Sequence, residues 1–474
     1  MSHAEALTLT PTMGSTAALV EFVSALRFEE LDAEVRHYAR RHLLDTVGVM
    51  ICGADGEVAN RAEAALATVR GEGRIPVPGR ARRADLLDAA FLGATAAHGI
   101  ELDDGYRQGS VHPGCAVVPA VLGMGYAMGA SGKAAIEAMV AGYEVAIAIA
   151  RACHPELRHR GFHPTGACAV FGAAAATAKL RRLTPPQIAD ALGIAASSAA
   201  GLFAFVNGGA DIKRLHAGHA SREGVQAALL AERGIEGPPG VIEGRDGFMQ
   251  AFAGSPLDRA RPIALPPAGP FGITDCYIKP YACCRHIQPA VEALIGLCAE
   301  ERITPEEVTR IDVDTYRIAA AHADTGWDDY ASAQLSFPYL IALALRYRAI
   351  RLEHFEEGVR RDPAMVAIAR KLHVVASPEV DRLYPRLRPA RVKVTTGRGI
   401  FTRAADEALG SRLVPLDDAG LRAKFDALAG PVISPARAQA LGEQIWAIES
   451  CADLRPLVEA AAKPDDRSRT REEG

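Results

Sequence analysis

The sequence predicts a mainly helical protein that carries a smaller α+β unit. An Ala-rich helical pattern runs from residue 15 to about residue 252, and no strand alternation of useful length interrupts it. A Pro- and Gly-rich stretch at residues 256–272 marks a change, and β-branched alternation begins after it. Helical patterns return after Leu409. The 474 residues are enough for two or three domains.

Local signals mark helix boundaries in the first half. Thr184 and Gln187 form a capping box with Pro in the first turn, which predicts a helix start. Gly234 follows a helical pattern over residues 217–233 and suits the position just after its end. Segments rich in Ala and Gly, such as residues 172–178 and 195–201, allow helices to approach closely.

Three segments of the second half alternate as strands do, and helical segments that begin at Thr304 and Pro363 separate them. The predicted strands are residues 310–316, 372–376 and 390–396. The last helices are too few to bury a core alone, so we expect them to return to the first helical domain. The predicted division is a first helical part at residues 1–262, an α+β unit at 263–405 and C-terminal helices at 406–474.

Composition and charge exclude several classes of partner. The chain has 53 basic and 57 acidic residues and no run of Lys and Arg, so we expect no binding to nucleic acid or to an anionic membrane. The most apolar run, residues 116–132, is just shorter than the ~18 residues of a membrane span, which favours a buried helix. Nine scattered cysteines indicate reduced thiols. The N-terminus lacks the pattern of a secretory signal, so we predict a cytoplasmic protein.

Motifs of nucleotide, zinc and serine-hydrolase sites do not occur in the sequence. Around Lys133, Ala127 and Ala134 stand where a phosphate-binding loop needs Gly and Ser or Thr. HExxH, paired CxxC, GxSxG and a GxGxxG between strand and helix are absent as well. A metal held by His216 and His219 with an Asp is conceivable from spacing, but no supporting pattern accompanies it, and we predict no metal site.

Two phrases of the sequence place a His directly before a Pro and a helix of small apolar residues. His112 precedes Pro113, and His163 precedes Pro164. A helix N-terminus carries about half a positive charge, which disfavours imidazolium and attracts anions. A neutral imidazole there, beside a carboxylate of a substrate, would accept a proton. The alternative is that each His caps its helix or fills a polar gap.

Acidic and basic groups surround these phrases in the sequence. The cluster of Glu101, Asp103 and Asp104 precedes His112 and could orient an imidazole or accept a substrate hydroxyl, or it could be a solvated loop. Only 8 of the 53 basic residues are Lys, so Lys213 and Lys279 stand out, although they could also be ordinary surface lysines. A compact ammonium suits a carboxylate or an enolate oxygen.

A further segment opens the α+β unit and is rich in cations for a nearly neutral chain. Lys279, Arg285 and His286 lie within eight positions. Each could donate to an anion.

The segments described above, in this order, resemble the MmgE/PrpD family, which includes 2-methylcitrate dehydratase, cis-aconitate decarboxylase and iminodisuccinate epimerase. The individual phrases are short, but their joint order and spacing are specific. The similar segments are residues 44–48, 98–114, 161–172, 213–224, 245–248, 279–293 and 334–339.

The resemblance implies an all-helical large domain built from both ends of the chain, a smaller α+β lid, a homodimer and a cofactor-free site in the cleft between the domains. His112, His163, Lys213 and Lys279 fall on active-site positions of the family.

This chain departs from the family at two places. Glu101-Leu-Asp-Asp-Gly105 replaces an Asp-x-Asp-Asp-Thr phrase, with one extra residue before His112, so the Thr hydroxyl is missing unless Tyr106 or Ser110 replaces it. Where the decarboxylases have a His after the lysine, this chain has Cys284, and His286 follows two residues later.

The predicted function is a cofactor-independent dehydratase, a carbon-oxygen lyase, of a small hydroxy di- or tricarboxylate such as a citrate homologue. An epimerase or decarboxylase of a related diacid, iminodisuccinate-like or cis-aconitate-like, is the alternative among enzymes. A catalytically silent binding protein is the alternative of another class.

The candidate residues have two predicted roles, catalysis and substrate binding. We expect His163 or His112 to be the base and the other to be the acid, with Lys213 also catalytic. The substrate-binding set is Glu101, Asp103, Asp104, Lys279, Arg285 and His286. We expect carboxylate groups of the substrate to be held by Lys279 and Arg285, with help from the catalytic Lys213. We expect Asp103 and Asp104 to orient an imidazole or a substrate hydroxyl.

Overall fold

The computed structural model describes residues 14–254, 263–266 and 269–464, and it is mainly helical with one small sheet in the C-terminal half. The predicted fold class is therefore confirmed at this level. The helices of the described residues are α1 (Ser15–Ala25), α2 (Ala33–Gly53), α3 (Glu57–Ala67), α4 (Leu86–His98), α5 (Gly114–Met128), α6 (Gly132–Cys153), α7 (Glu156–His159), α8 (Pro164–Leu180), α9 (Pro185–Ser197), α10 (Asp211–Glu232), α11 (Gln288–Glu300), α12 (Arg317–Ala320), α13 (Tyr330–Ala333), α14 (Phe337–Tyr347), α15 (Glu357–Arg360), α16 (Pro363–Ala369), α17 (Pro378–Asp381), α18 (Asp418–Ile433), α19 (Pro435–Trp446) and α20 (Arg455–Ala461). The strands are β1 (Val308–Thr315), β2 (Leu372–Ala376), β3 (Ala390–Thr396) and β4 (Gly399–Ala405).

Helices α5, α6, α8 and α10 form the centre of the helical part; the first three are largely buried, and half of the α10 residues are buried. Small residues bring α6 and α8 into backbone contact. A Cβ atom added to Gly142 would lie 2.7 Å from the carbonyl oxygen of Gly172, and one added to Gly172 would lie 2.6 Å from that of Gly142. The Ala- and Gly-rich segment at residues 172–178 therefore packs as predicted, since only glycine fits at this crossing.

Helices α18 and α19 pack against α2, from the start of the chain. Phe425 on α18 covers Gly48 on α2, where an added Cβ would lie 2.9 Å from the phenyl ring. On the same pair of helices, Lys424 Nζ lies 2.6 Å from Asp45 Oδ1. Both ends of the described chain thus contribute to one helical core. Residue 262, the predicted end of the first helical part, lies outside the described residues.

The sheet has the strand order β2-β1-β3-β4, in which β1 and β2 are parallel and the other two pairs are antiparallel. Alternate residues of β1, such as Ile311 and Val313, are buried in a second apolar cluster. That cluster also contains residues of α11 and α14. Residues 281–405, which supply most of the cluster, are called the sheet region below. The three predicted strands are confirmed, whereas β4 was not predicted.

Two local predictions need correction. No helix begins at Thr304: its backbone N–H donates to Glu307 Oε2 at 2.9 Å, and the resulting turn leads directly into β1. The capping signal is real, but β-branched residues follow it. Helix α10 ends before Gly234, which has a φ of +84°, as predicted, but begins at Asp211 and not at 217. The described residues contain no helix with the length and apolar character needed to cross a membrane.

Candidate active site

Four imidazoles from four different elements form a series of neighbouring rings, here called the line of imidazoles. The ring centroid of His98 lies 5.2 Å from that of His112 and 5.6 Å from that of His163, and His163 in turn lies 5.1 Å from His216. His98 ends α4, His112 lies just before α5, His163 directly precedes α8, and His216 lies on α10. The two histidines that the sequence singles out are therefore brought together, with His98 between them.

Both His-Pro phrases lie at helix starts, as predicted. His163 occupies the N-cap position of α8, and Pro113 occupies that of α5. Neither N-cap residue accepts a helix N–H with its own side chain, so His163 is not a simple cap. Instead, His112 Nδ1 lies 3.2 Å from Asp103 Oδ2. A purely capping role therefore does not describe these two rings.

Burial keeps the four imidazoles neutral. It lowers the pKa of His98 to about 4, although the Asp103 carboxylate, 2.6 Å from His98 Nδ1, acts in the opposite direction. Burial also lowers the pKa of His216 to about 4, and it lowers the pKa values of His112 and His163. The neutral state was predicted from the helix N-termini, but its main cause is desolvation.

The His163–His216 contact is a hydrogen bond between two imidazoles. Their Nδ1 atoms lie 3.0 Å apart. One nitrogen must donate and the other must accept, which requires that at least one ring is neutral and fixes its tautomer.

The acidic cluster is buried and contacts the lysines, so its interpretation as a solvated loop is wrong. Glu101, at a φ of +57°, directs Oε1 into contact with Lys213 Nζ and places Oε2 3.3 Å from Lys279 Nζ. Asp103 Oδ1 lies 3.2 Å from the same Lys279 nitrogen. A non-glycine residue in this left-handed conformation is uncommon, and here it directs one carboxylate between two ammonium groups.

Asp104 lies behind the line of imidazoles. Its Oδ1 accepts the backbone N–H of Gly114 at 3.0 Å, and its Oδ2 accepts the Tyr143 hydroxyl at 2.8 Å. His42 Nδ1 lies 3.1 Å from the same Oδ2. This carboxylate therefore holds the start of α5, and the side chain does not contact the lysines.

Lys213 and Lys279 are interior residues, so the surface interpretation is wrong for both. The Lys279 side chain is 1% exposed and that of Lys213 is 14% exposed. Burial alone would lower the pKa of Lys279, but the Asp103 carboxylate outweighs it and the pKa is raised. Burial, Lys279 and Arg214 push the pKa of Lys213 well below its usual range. Direct contact with Glu101 opposes them, and at this short range it favours the ammonium form.

Arg285 and His286 have hydrogen-bond partners outside the carboxylate–lysine cluster. The Arg285 guanidinium donates to the carbonyl oxygens of Leu409 and Ala408 at 2.6 and 2.9 Å and lies 4.8 Å from the centre of the Tyr277 ring. His286 Nδ1 lies 2.7 Å from the Tyr316 hydroxyl. These contacts hold together parts of the sheet region and the segment after β4.

The sequence did not predict the positions or partners of several other residues in and around the cluster. His98 and His216 were not assigned to catalysis, and the signal for His216 was its position one helical turn after Lys213. Tyr106, offered as a substitute for the family Thr, donates its hydroxyl to Gln108 at 3.3 Å. Cys284 lies with its Sγ 3.8 Å from His322 Nε2, a partner that no motif indicates.

Two groups among the described residues could hold a metal ion by geometry. They are His98–Asp103–Cys115 and His42–Asp104–Cys276, each with potential ligand atoms within 4.8 Å of one another. A thiol binds metal as the thiolate, and burial raises the pKa of both cysteines well above the usual value. The electrostatics therefore favour the hydrogen-bonding roles described above.

Comparison with known proteins covers nearly the whole chain. A model of the MmgE/PrpD N-terminal domain matches residues 17–260, and one of the MmgE/PrpD C-terminal domain matches residues 281–449. A cis-aconitate decarboxylase of Aspergillus terreus is 28% identical over 94% of this chain and 95% of the relative. The cis-aconitate decarboxylase of Homo sapiens is 24% identical over 95% of each chain. The resemblance seen in the sequence is thus confirmed, and the chain belongs to the MmgE/PrpD family.

Proposed function

We propose that this protein is a cofactor-independent lyase that acts on a small di- or tricarboxylate through a proton transfer at the carbon next to a carboxylate. The observation that carries this proposal is the line of neutral imidazoles beside two buried ammonium groups. Dehydration of a hydroxy acid, such as a citrate homologue, is the first candidate reaction.

Substrate binding would proceed by exchange of carboxylates. Glu101 contacts Lys213 and lies 3.3 Å from Lys279 in the unliganded site. A substrate carboxylate that replaces Glu101 at one ammonium leaves no buried charge unpaired, which would otherwise cost several kcal/mol. Asp103 would remain on Lys279, because its second oxygen is bound by His98. The ligand thus needs at least one carboxylate in addition to the reacting group.

The imidazoles would become basic only when the substrate is bound. Burial holds their pKa values low, and the added negative charge of a polycarboxylate raises them towards neutral pH. His163 or His112 then takes the proton from carbon, and the electron pair is delocalised into the carboxylate that an ammonium stabilises. The hydroxyl on the neighbouring carbon leaves with a proton from an acid, which gives an alkene and water.

Decarboxylation is a second candidate, and the similarity to cis-aconitate decarboxylases over 94% of the chain favours it. In that reaction the bond between carbon and a carboxylate breaks and carbon dioxide leaves. The electron pair moves to the allylic carbon, which receives a proton from a protonated imidazole. The same groups would serve, with the imidazole acting as an acid.

The test is proton NMR in deuterium oxide with a panel of citrate homologues, iminodisuccinate and cis-aconitate. An alkene formed from a citrate homologue by loss of water supports the dehydratase. Loss of carbon dioxide with one deuterium gained supports the decarboxylase, and deuterium exchange with inversion supports an epimerase. If the protein shows no turnover and no exchange with any member of the panel, the result contradicts the proposal and favours a silent binding protein.

A further inference from the structure

A thiol and an imidazole of the sheet region form a pair beside the candidate site. Sγ of Cys284 lies 3.8 Å from Nε2 of His322, within hydrogen-bond range for sulfur. Cys284 is 7% exposed and lies in the segment before α11, whereas the half-buried His322 follows α12. Neither residue belongs to the line of four imidazoles.

Hydrogen bonds through Gln334 connect this pair to the acidic cluster. The backbone N–H of Cys284 donates to the carbonyl oxygen of Gln334 at 2.9 Å. The Gln334 side chain donates to the carbonyl oxygen of Ile100 at 3.0 Å, one residue before Glu101. Cys284 also lies five residues after Lys279 in the sequence. The charge of the Cys284 thiolate raises the pKa values of both Lys213 and Lys279, so the thiol lies within electrostatic range of the two ammonium groups, on the side of the sheet region.

The electrostatics of Cys284 differ from those of its neighbour Cys283. Burial would raise the pKa of Cys284, but His322, a backbone N–H of His286 and the charge of Lys279 outweigh it and lower the pKa to about 7. The thiolate in turn raises the pKa of His322 despite burial and the opposing charge of Lys213. Burial raises the pKa of Cys283, which lacks such a partner. The pair thus shares a proton that can move near neutral pH.

We propose that Cys284, paired with His322, is the second acid–base group of the site and exchanges a proton with the bound carboxylate substrate from the side of the sheet region. This inference rests on the proposed lyase function and names its acid. In the dehydration, the thiol S–H gives its proton to the departing hydroxyl, which leaves as water. The imidazole that took the proton from carbon releases it to solvent, and the thiolate regains one, so the enzyme returns to its starting state.

The first experiment measures the titration of the thiol without any substrate. The ultraviolet absorbance of thiolate is recorded between about pH 5 and 10 for the protein and for Cys284→Ser, and the difference gives the midpoint. We expect a midpoint near 7, as lowered by His322, and a rise of at least about one unit in His322→Asn. Cys283→Ser, the matched control, should leave this transition in place. A midpoint at or above about 8.5, the value of an ordinary thiol, overturns the proposal.

The second experiment measures turnover of whichever carboxylate the NMR panel identifies. We expect Cys284→Ser to lower kcat by at least about 100-fold, with a change in KM of less than about threefold, because the hydroxyl is a far weaker acid. Cys283→Ser should retain kcat within about twofold, and thermal unfolding of both variants shows whether they fold. If Cys284→Ser folds and keeps its kcat, the acid role is wrong while the lyase function stands. If the unaltered protein neither turns over nor exchanges any carboxylate, the proposed function fails, and the acid role with it.

Discussion

The Nδ1 atom of His98 lies 2.6 Å from Oδ2 of Asp103, and Oδ1 of the same carboxylate lies 3.2 Å from Nζ of Lys279. Burial would raise the pKa of Asp103, but His112, Lys279 and His98 outweigh it and hold the pKa well below its usual range. An ionised Asp103 fixes the tautomer of His98 with the proton on Nδ1. The buried Nε2 of His98, which has no hydrogen-bond partner among the described residues, is then the free acceptor.

Asp103→Asn should therefore impair catalysis more than folding. We expect kcat to fall by at least about 100-fold, because the neutral amide neither fixes the tautomer of His98 nor supplies the negative charge that keeps Lys279 an ammonium. The free energy of unfolding should fall by roughly 1–3 kcal/mol, since Glu101 still partners Lys279. Steady-state kinetics and urea unfolding measure both. Asp312→Asn, in β1, is the control, because its carboxylate pairs with Arg310 and Lys393, and it should keep full activity. Equal kinetics for the two variants would contradict the role of Asp103.

Lys213→Ala should abolish turnover while leaving thermal unfolding almost unchanged. Glu101 loses one ammonium but keeps Lys279 at 3.3 Å, so no carboxylate is left without a partner. Circular-dichroism melting and NMR turnover test this, with the exposed Lys133→Ala as a control. A loss of several kcal/mol of stability would place Lys213 among structural residues.

His216 should act as a positioning residue for His163. His216→Phe removes the hydrogen bond between the two Nδ1 atoms, which are 3.0 Å apart, and keeps a ring in place. We expect kcat to fall by about 10- to 100-fold and the pH profile of kcat to shift. His216→Asn retains a hydrogen-bonding group and should recover part of the loss. A pure packing role would leave the pH profile of both variants unaltered.

The buried imidazoles should make the protein acid-sensitive. The pKa of His98 is about 4, against 6.5 for an exposed His, so the unfolded chain binds a proton before the native state does. The resulting loss of stability begins as the pH falls below about 6.5 and is complete near the native pKa. It amounts to up to roughly 3 kcal/mol for one such group.

Urea unfolding between pH 7.5 and 4.5 tests this acid sensitivity. Burial raises the pKa of Glu144 to about 7, which stabilises the native state as the pH falls and so acts in the opposite direction. The measurement therefore compares the protein with His98→Gln, which should lose less stability over this range. Parallel pH dependences for the two proteins would refute the assignment.

The α6–α8 crossing should not tolerate a methyl group. Gly172→Ala places a Cβ 2.6 Å from the carbonyl oxygen of Gly142, and the backbone cannot move aside easily. We expect a net loss of about 1–3 kcal/mol in the free energy of unfolding despite the better helix propensity of Ala. Gly430→Ala, in α18, is the matched control, because its added Cβ would have its nearest neighbour at 3.7 Å. It should be neutral or stabilising.

Local signals predicted the elements better than they predicted the site. The capping box at Thr184 and the strand at residues 372–376 are set by short-range chemistry, and both are confirmed. Strand β4 was missed because it begins with Gly399 and ends in two alanines, residues of low strand propensity, and its stability comes from pairing with β3. Helix α10 begins earlier than predicted because charged and glycine-rich residues around Lys213 obscure its periodicity.

Contacts between distant segments explain what the sequence could not reveal about the site. The carboxylate–lysine pairing of Glu101 and Lys213 joins residues 112 positions apart, and that of Cys284 with His322 joins residues 38 apart. From their positive charge alone, Lys213 and Lys279 were predicted to be free to bind substrate carboxylates. Only the folded arrangement reveals that each already has a carboxylate partner.

The packing of α18 on α2 has a consequence for biosynthesis. The Lys424–Asp45 contact joins residues 379 positions apart, so α2 is made long before the helix that covers it. Because a ribosome adds only about 5–20 residues each second, the apolar surface near Gly48 stays without Phe425 for tens of seconds. A nascent chain therefore depends on other segments or on chaperones to shield that surface until translation ends.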